Sequence, residues 1–327
     1  MWAVQPAEVA AGSRATADAG TLFGWDERCG AYVAYFRPVR NLKGRETAHH
    51  GGPPPIDEGM RRFPQTRLVG RATSQDFLDW SATETVLTPS EFDPPATELY
   101  AMPVCKYHGY YVGLIYVLYA HPAEPEPRVQ GLMDVQLAVS RDGIRWTRLG
   151  GQQPFIARGA AGFDRGMVGP NAGLVERDGQ LWCYYNGWTG EHNETKAYRR
   201  GRDPGLWEMG RMGSGTGLAR LRQDGFISVD AGEDEGTLTT TNERLGGTGL
   251  SMNTVTHGPS GYVTAEIVER DGSVVAGYSA AECDRFAGDS VRHRLSWQGR
   301  GAQSLPPGDY AIRFSLRMAS LYSYWVA

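Results

Sequence analysis

Residues 133–146 read MDVQLAVSRDGIRW and contain the pattern that decides the fold. The β-prone run 135–139 leads into the turn 140–143, SRDG, whose glycine adopts a positive φ without steric cost, and a return strand follows. The same shape recurs at 69–80, VGRATSQDFLDW, and at 215–226, GTGLARLRQDGF. Three copies of one hairpin predict a repeat architecture.

A second kind of hairpin precedes each of these copies. Its three examples are 21–37, 99–119 and 167–188, with Gly30, Gly109 and Gly179 in the turns. The repeat unit is therefore four antiparallel strands in roughly 65 to 80 residues, which is typical of a propeller blade with long insertions. Insertions of this kind, 41–65 and 190–212, are expected to crowd one face, where ligands usually enter.

Composition supports an all-β protein with two domains. The chain has 327 residues, 43 Gly, 19 Pro and 16 Tyr, so turns and aromatic residues are frequent and a large core can be buried. After residue 230 short alternating strands predict a β-sandwich, as in 311–318, AIRFSLRM. The predicted organisation is an irregular leader at 1–17, β-propeller blades at 18–232 and a β-sandwich at 233–327.

Several function classes are disfavoured by the same composition. The net charge is -4 and the arginines are scattered, so no nucleic-acid partner is expected. No apolar run reaches the roughly 20 residues that span a bilayer, and 1–20 lacks the features of a secretory signal, so we expect a soluble chain of unassigned location without a membrane partner. Four widely spaced cysteines indicate neither a zinc site nor a disulfide framework, and no cofactor or metal is expected.

Several phrases together resemble a known group of proteins. They are the SRDG turn with its following Trp, HGYY at 108–111, DGQLWCYY at 178–185, GLARLRQDGFISVDAG at 217–232 and ASLYSYW at 319–325. This combination resembles bacterial glycosyl-hydrolase-like proteins of the five-bladed propeller type found in glycoside hydrolase families 32 and 43, often with a C-terminal β-sandwich. The resemblance implies five blades where three are visible, and a chain incomplete at its N-terminus. An open propeller edge predicts a homo-oligomer that covers it, or coverage by 1–20.

The candidate catalytic residues are carboxylates that stand ahead of the three first hairpins. Asp18, Glu98 and Asp164 each lie 11 to 15 residues before the turn glycine of their repeat. Equivalent positions in successive blades converge on one funnel, and glycoside hydrolysis needs one protonated and one ionised carboxyl group. The alternative is that each is an acidic residue of an ordinary loop.

Five further residues are candidates for substrate binding: Asp134, His192, Arg71, Arg165 and Trp188. Asp134 is acidic where the repeat elsewhere has no acid, so it orients a sugar or an acid, or else caps a turn. His192 donates to substrate or is structural, and Trp188 stacks on a sugar or belongs to the core. By contrast, the repeated aspartates Asp76, Asp142 and Asp224 have turn positions and are interpreted as structural.

Three functions remain open for a chain that binds carbohydrate. The first is a glycoside hydrolase with paired carboxylates in a propeller funnel, and the second is a non-catalytic carbohydrate-binding or assembly protein. The third is a sialidase-like enzyme, which requires an arginine cluster for which Arg71 and Arg165 are the candidates. Enzymatic activity is therefore the favoured but open hypothesis.

Overall fold

The structure is a computed structural model that describes residues 20–41, 46–48, 65–120, 131–171, 173–192 and 213–326. In these ranges the regular structure consists of β-strands and two short 3₁₀ turns, with no α-helix. The predicted all-β class is confirmed. No helix within the same ranges is long and apolar enough to cross a membrane.

The N-terminal strands form a four-stranded sheet and a small side sheet. They are β1 (Thr21–Asp26), β2 (Ala31–Phe36), β3 (Pro38–Asn41), β4 (Glu46–Ala48), β5 (Gln65–Arg67), β6 (Val69–Ser74) and β7 (Glu84–Leu87). The four-stranded sheet has the order β1-β2-β6-β7, which is the antiparallel meander predicted for the first repeat, and the side sheet has the order β4-β3-β5.

The next two repeats share one nine-stranded sheet. Its strands are β8 (Thr97–Ala101), β9 (Val104–Tyr107), β10 (Tyr110–Ala120), β11 (Gly131–Ser140), β12 (Trp146–Arg148), β13 (Met167–Pro170), β14 (Val175–Arg177), β15 (Gln180–Trp188) and β16 (Ser214–Arg222). Its backbone is the β10–β11 ladder, which runs without interruption from Tyr111↔Ser140 to Ala120↔Gly131. The two repeats join through a single parallel pair, Met133↔Met167.

The predicted hairpins are confirmed except that of 215–226, where β16 pairs with β15 and the next strand, Val229–Ala231, pairs with Ala319–Val326 instead of returning along β16. The number of blades stays a prediction. Gly30, Gly109 and Gly179 have φ of 61°, 83° and 70°, as their turns require. The second and third repeats share one sheet, and the described strands do not form a closed sheet.

The C-terminal strands form the predicted β-sandwich. They are β17 (Val229–Ala231), β18 (Gly236–Thr239), β19 (Glu243–Leu245), β20 (Leu250–Thr256), β21 (Tyr262–Val268), β22 (Asp289–Arg294), β23 (Ser296–Trp297), β24 (Arg300–Gly301), β25 (Gly308–Arg317) and β26 (Ala319–Val326). One sheet has the order β17-β26-β20-β22, and the other places β18, β19 and β21 against β25. A single core takes Met252 and Leu321 from the first sheet and Ile267 and Phe314 from the second.

The chain divides into two compact units, one of 1–175 and 182–219, the other of 176–181 and 220–327. The predicted domain boundary at residue 232 remains a prediction.

The SRDG turn is held by its own side chains. Ser140 Oγ accepts the backbone N–H groups of Asp142 and Gly143 at 3.2 and 2.9 Å, and Asp142 Oδ1 accepts those of Ile144 and Arg145 at 2.9 and 2.8 Å. The same pattern recurs with Ser74 and Asp76 in the first repeat. Asp76 and Asp142 are therefore structural, as predicted, because they satisfy backbone donors in the turns.

Gly143 also joins the first two sheets. The buried Tyr35 hydroxyl of β2 donates to the Gly143 carbonyl at 2.9 Å. Gly143 has φ of 73°, and a Cβ at this position would lie 2.9 Å from Tyr35 Oη and 3.5 Å from Tyr111 Cε1. Both the backbone conformation and the close packing therefore require glycine.

We expect Gly143→Ala to lower the free energy of unfolding more than Gly30→Ala does. Both substitutions cost about 1 to 2 kcal/mol for a left-handed backbone, since φ is 73° at Gly143 and 61° at Gly30. Only Gly143→Ala adds an overpacking cost of about 1 to 3 kcal/mol, because a Cβ at Gly30 meets nothing within 4 Å. Urea denaturation of the two variants tests this, and equal destabilisation would contradict the packing role of Gly143.

Candidate active site

Most of the predicted site residues lie along one edge of the nine-stranded sheet. This loop edge is where β8, β11 and β13 begin and where β10 and β15 end, because Thr97 pairs with Tyr119, Ala120 with Gly131, and Met167 with both Met133 and Trp188. The predicted residues in or directly beside these strand ends are Glu98, Asp134, Asp164, Arg165, Trp188 and His192. Asp18 lies outside the described residues.

Glu98 is a buried carboxyl group near the start of β8, with 4% of its surface exposed. It forms an ion pair and hydrogen bond with the Arg67 guanidinium from the end of β5. Burial raises the pKa of Glu98, and the nearby charges of Arg67 and Arg37 offset only part of this, so the pKa stays above its ordinary value. A carboxyl group in such a setting holds its proton at higher pH than an exposed one.

Tyr100, two residues after Glu98, brings three segments of the chain together. The guanidinium carbons of Arg37 and Arg67 lie 4.3 and 5.5 Å from the centre of its ring, and the His192 ring lies 4.9 Å away in an edge-on arrangement. The His192 backbone is fixed by an N–H donated to the Gly131 carbonyl at 2.9 Å. The acidic, cationic and imidazole groups around Glu98 therefore converge from segments far apart in sequence.

Asp134 has different partners from Glu98. It is 4% exposed, and its Oδ1 accepts the Arg158 backbone N–H at 2.8 Å and Arg158 Nε at 3.2 Å. Arg158 is 24 residues away in sequence, so Asp134 does not cap its own turn. The alternative interpretation of Asp134 as a turn cap is therefore wrong. Asp134 pairs with Val117 and Glu98 with Leu118, so their side chains leave opposite faces of the sheet.

Asp164 and Arg165 belong to the loop before β13. Tyr185 Oη donates to Asp164 Oδ2 at 2.8 Å, and Arg165 Nε donates to the Thr189 carbonyl at 3.2 Å. The Arg165 carbonyl in turn accepts Arg158 Nη1 at 3.3 Å. Glu98 and Asp164 share the loop edge but have separate hydrogen-bond partners.

Trp188 ends β15 beside this loop. Its carbonyl accepts the Gly166 N–H at 2.9 Å, and its half-buried side chain leaves both the stacking and the core interpretation open.

A cavity of about 610 Å³ opens beside the loop edge. It is lined by Leu132, Arg158, Gly159, Ala160, Arg165, Gly166, Thr189 and Glu191. Asp134 and Asp164 stand behind this lining, since each bonds to a residue of it: Asp134 to Arg158, and the Asp164 carbonyl to the Gly159 N–H at 3.3 Å. The volume is within the range of about 300 to 1,000 Å³ found for small-molecule sites.

Arg71 does not join the other candidates. In β6 it lies opposite Tyr35 and Glu84, and its Nη2 lies 3.5 Å from Cys29 Sγ in the first hairpin turn. The predicted pairing of Arg71 with Arg165 therefore has no support in the geometry, because these two arginines contact different parts of the fold.

Sequence reasoning missed the partners of the candidate carboxylates, namely Arg37, Arg67, Tyr100, Arg158, Tyr185 and Glu191. Nothing in the local pattern marks them, because each acts through a contact that only the fold creates. For one of them a signal was available, since Glu191 stands directly before His192 in the insertion 190–212 already singled out.

One buried carboxylate was also missed. Asp26, 2% exposed, accepts Tyr111 Oη at 2.6 Å and Lys106 Nζ at 2.8 Å near the opposite end of β10. Burial raises its pKa, but the hydrogen bonds from Lys106, Tyr111 and Arg28 outweigh this and leave the pKa below its usual value. Asp26 is therefore held as a carboxylate and ties β1 to β9 and β10.

Comparison with family models and with curated proteins gives no match. Solved structures do match. One is an N-acetylgalactosamine deacetylase from F. plautii in complex with blood group B trisaccharide, 12% identical, covering 65% of this chain and 51% of that one with a TM-score of 0.41. Another is a family 117 glycoside hydrolase produced by the marine bacterium Zobellia galactanivorans, 14% identical over 91% of this chain and 85% of that one, with a TM-score of 0.39.

A third is a glycoside hydrolase family 43 arabinoxylan arabinofuranohydrolase from Bacillus subtilis, 11% identical over 94% of this chain and 66% of that one, with a TM-score of 0.31. This chain spans about half the length of the first matching structures, between 44% and 51% of each. Glycoside hydrolases are thus among the solved structures to which this chain is similar, as predicted. The low TM-scores carry no residue role to this chain.

We expect the stability effect of Glu98→Gln to depend on pH in a definite direction. Because the folded pKa of Glu98 is raised, its contribution to the free energy of unfolding is complete below the unfolded pKa of about 4.3 and is lost as the pH rises through the folded value. The melting temperature of Glu98→Gln should therefore rise relative to wild type as the pH is raised from about 4 through the folded pKa of Glu98.

Asp142→Asn is the matched control, because the pKa shift of Asp142 has the opposite direction to that of Glu98. Hydrogen bonds from the Arg145 and Ile144 backbones lower the pKa of Asp142, so its contribution is present above the unfolded pKa and is lost as the pH falls. Asp142→Asn should lose stability relative to wild type as the pH rises. Parallel trends for the two variants would contradict the raised pKa of Glu98.

Proposed function

We propose that this chain is a glycoside hydrolase in which Glu98 is the general acid. The observation that carries the proposal is the buried Glu98 carboxyl group, with its raised pKa, at an edge where Arg67, Tyr100 and His192 converge. A general acid for glycosidic cleavage needs a carboxyl group that keeps its proton near neutral pH until the leaving oxygen takes it.

Asp164 is the proposed second carboxylate. It lies at the same loop edge, and the Tyr185 hydroxyl orients its Oδ2 at 2.8 Å. In the proposed reaction Glu98 gives its proton to the glycosidic oxygen while Asp164 either attacks the sugar carbon or takes a proton from the attacking water. A separation of about 5 to 5.5 Å between the carboxyl groups in the substrate complex favours the first route, and about 6.5 to 9.5 Å favours the second.

The remaining candidates have subsidiary roles in this proposal. Asp134 holds Arg158 at the cavity wall, His192 packs against Tyr100, and Trp188 offers an aromatic surface beside the loop. Asp18 remains a proposed third carboxylate, and the substrate is a carbohydrate.

A non-catalytic carbohydrate-binding protein is the second candidate function. One observation favours it: the Glu98 charge is matched by Arg67, and Asp164 bonds to a different set of residues. Two carboxylates in separate networks can shape a binding site without performing acid/base chemistry.

Hydrolysis of a broad panel of aryl glycosides separates these functions. We expect turnover by the wild-type chain, and a loss of about 100-fold or more in Glu98→Gln and in Asp164→Asn, since general acid/base groups contribute roughly that much. Glu91→Gln, at an exposed turn, is the control and should keep full activity. Melting temperatures near the wild-type value show that the variants fold.

The contrary results are equally definite. Loss of folding in Glu98→Gln and Asp164→Asn would make these carboxylates structural. A wild-type chain that turns over no glycoside but binds oligosaccharides would establish the non-catalytic function instead.

A further inference from the structure

The arginines of the cavity point to the charge of its ligand. We propose that the cavity binds an anionic sugar, with Arg158 and Arg165 holding its acidic group, a uronic-acid carboxylate or a sulfate. The proposal names a substrate class for the glycoside hydrolase proposed above, and it rests on that proposed function. The cavity adjoins the groups around Glu98, because its lining residue Glu191 is followed directly by His192, which contacts Tyr100.

Arg158 is anchored from behind by a buried acid. Asp134, 4% exposed, takes both its backbone N–H and its Nε, and the side chain of Arg158 is 27% exposed at the cavity. The ion pair therefore fixes the guanidinium group without occupying all of its N–H donors. Among the contacts of the described residues, Arg158 Nη2 has no hydrogen-bond partner, so this nitrogen can donate to a ligand.

Arg165 is anchored next to it by the backbone. Its Nε donates to the Thr189 carbonyl, and its own carbonyl accepts Arg158 Nη1 at 3.3 Å. In the described part of the chain both terminal nitrogens of Arg165 are without hydrogen bonds. Two guanidinium groups that line the same cavity and have donors to spare suit carboxylate or sulfate oxygens, which they bind better than neutral hydroxyl groups.

The remaining lining leaves room for an acidic group. Glu191 is the one acid among the eight lining residues, against two arginines. Gly159, Ala160 and Gly166 have little or no side chain, and a Cβ at Gly166 would come within 2.2 Å of the Gly190 carbonyl oxygen, so the wall there is backbone. A volume of about 610 Å³ is sufficient for a short oligosaccharide.

Binding to the Glu98→Gln chain tests this without turnover. Isothermal titration would compare a trisaccharide of galacturonic acid, its methyl ester and a sulfated neutral trisaccharide. We expect the acid to bind at least about tenfold more tightly than the ester, because the ester has the same shape without the charge. Tighter binding of the sulfated sugar than of the uronate would support the anion site and assign its ligand to sulfate.

The arginine variants are made in the same background. Arg165→Met should bring the affinities for acid and ester to within about twofold, whereas Arg145→Met, at the exposed SRDG turn, should leave the tenfold preference unchanged. Arg158→Met leaves the buried Asp134 carboxylate without its ion-pair partner and can unfold the chain. The double variant Asp134→Asn/Arg158→Met is therefore used. We expect it to lose the preference for the acid over the ester, as Arg165→Met does.

Three results would overturn the inference: equal affinity for acid and ester, a preference that survives in Arg165→Met, or no binding of any of the three sugars. Selective binding of the acid by a chain whose wild-type form hydrolyses no glycoside would refute the proposed hydrolase activity and leave the anion site standing.

Discussion

The uninterrupted antiparallel ladder between β10 and β11 is the constraint on which the rest of the structure depends. It pairs every residue from Tyr111 to Ala120 with one from Ser140 to Gly131. One of its ends carries the SRDG turn, and the other opens into the loop edge. A shift of one residue would move every side chain of β11 to the other face of the sheet, so this register fixes where Asp134 and its neighbours lie.

Two of the buried carboxyl groups near the ends of this ladder, Asp26 and Glu98, show how partners decide chemistry. Asp26 and Glu98 are both almost inaccessible to water, yet the pKa of Asp26 is lowered and that of Glu98 is raised. Burial opposes ionisation at both sites. At Asp26 an ammonium, a phenol and a backbone N–H together outweigh burial, whereas at Glu98 the arginines offset only part of it. The two sites are thus similarly buried but have pKa shifts of opposite direction, because their partners differ.

Arginines organise the loop edge. Arg67 and Arg37 surround Tyr100 and Glu98, and Arg158 and Arg165 line the cavity. Each of the buried acids Glu98 and Asp134 fixes one of these guanidinium groups, which spares the fold an uncompensated buried charge. The same ion pairs that stabilise the unit therefore also orient the donors that the proposed reaction and the proposed ligand require.

The sequence by itself determined the elements whose causes are local. Glycines with positive φ and the Ser140–Asp142 pattern specify turns within a few residues, so the hairpins and the all-β class could be predicted. The repeat also aligned Glu98 and Asp164 ahead of equivalent hairpins. Only the tertiary structure decided which groups meet them: Arg67 is 31 residues from Glu98 and Arg158 is 24 from Asp134, and no local pattern encodes such contacts. It also decided that Glu98 and Asp134 leave opposite faces, because strand register depends on pairing between distant segments.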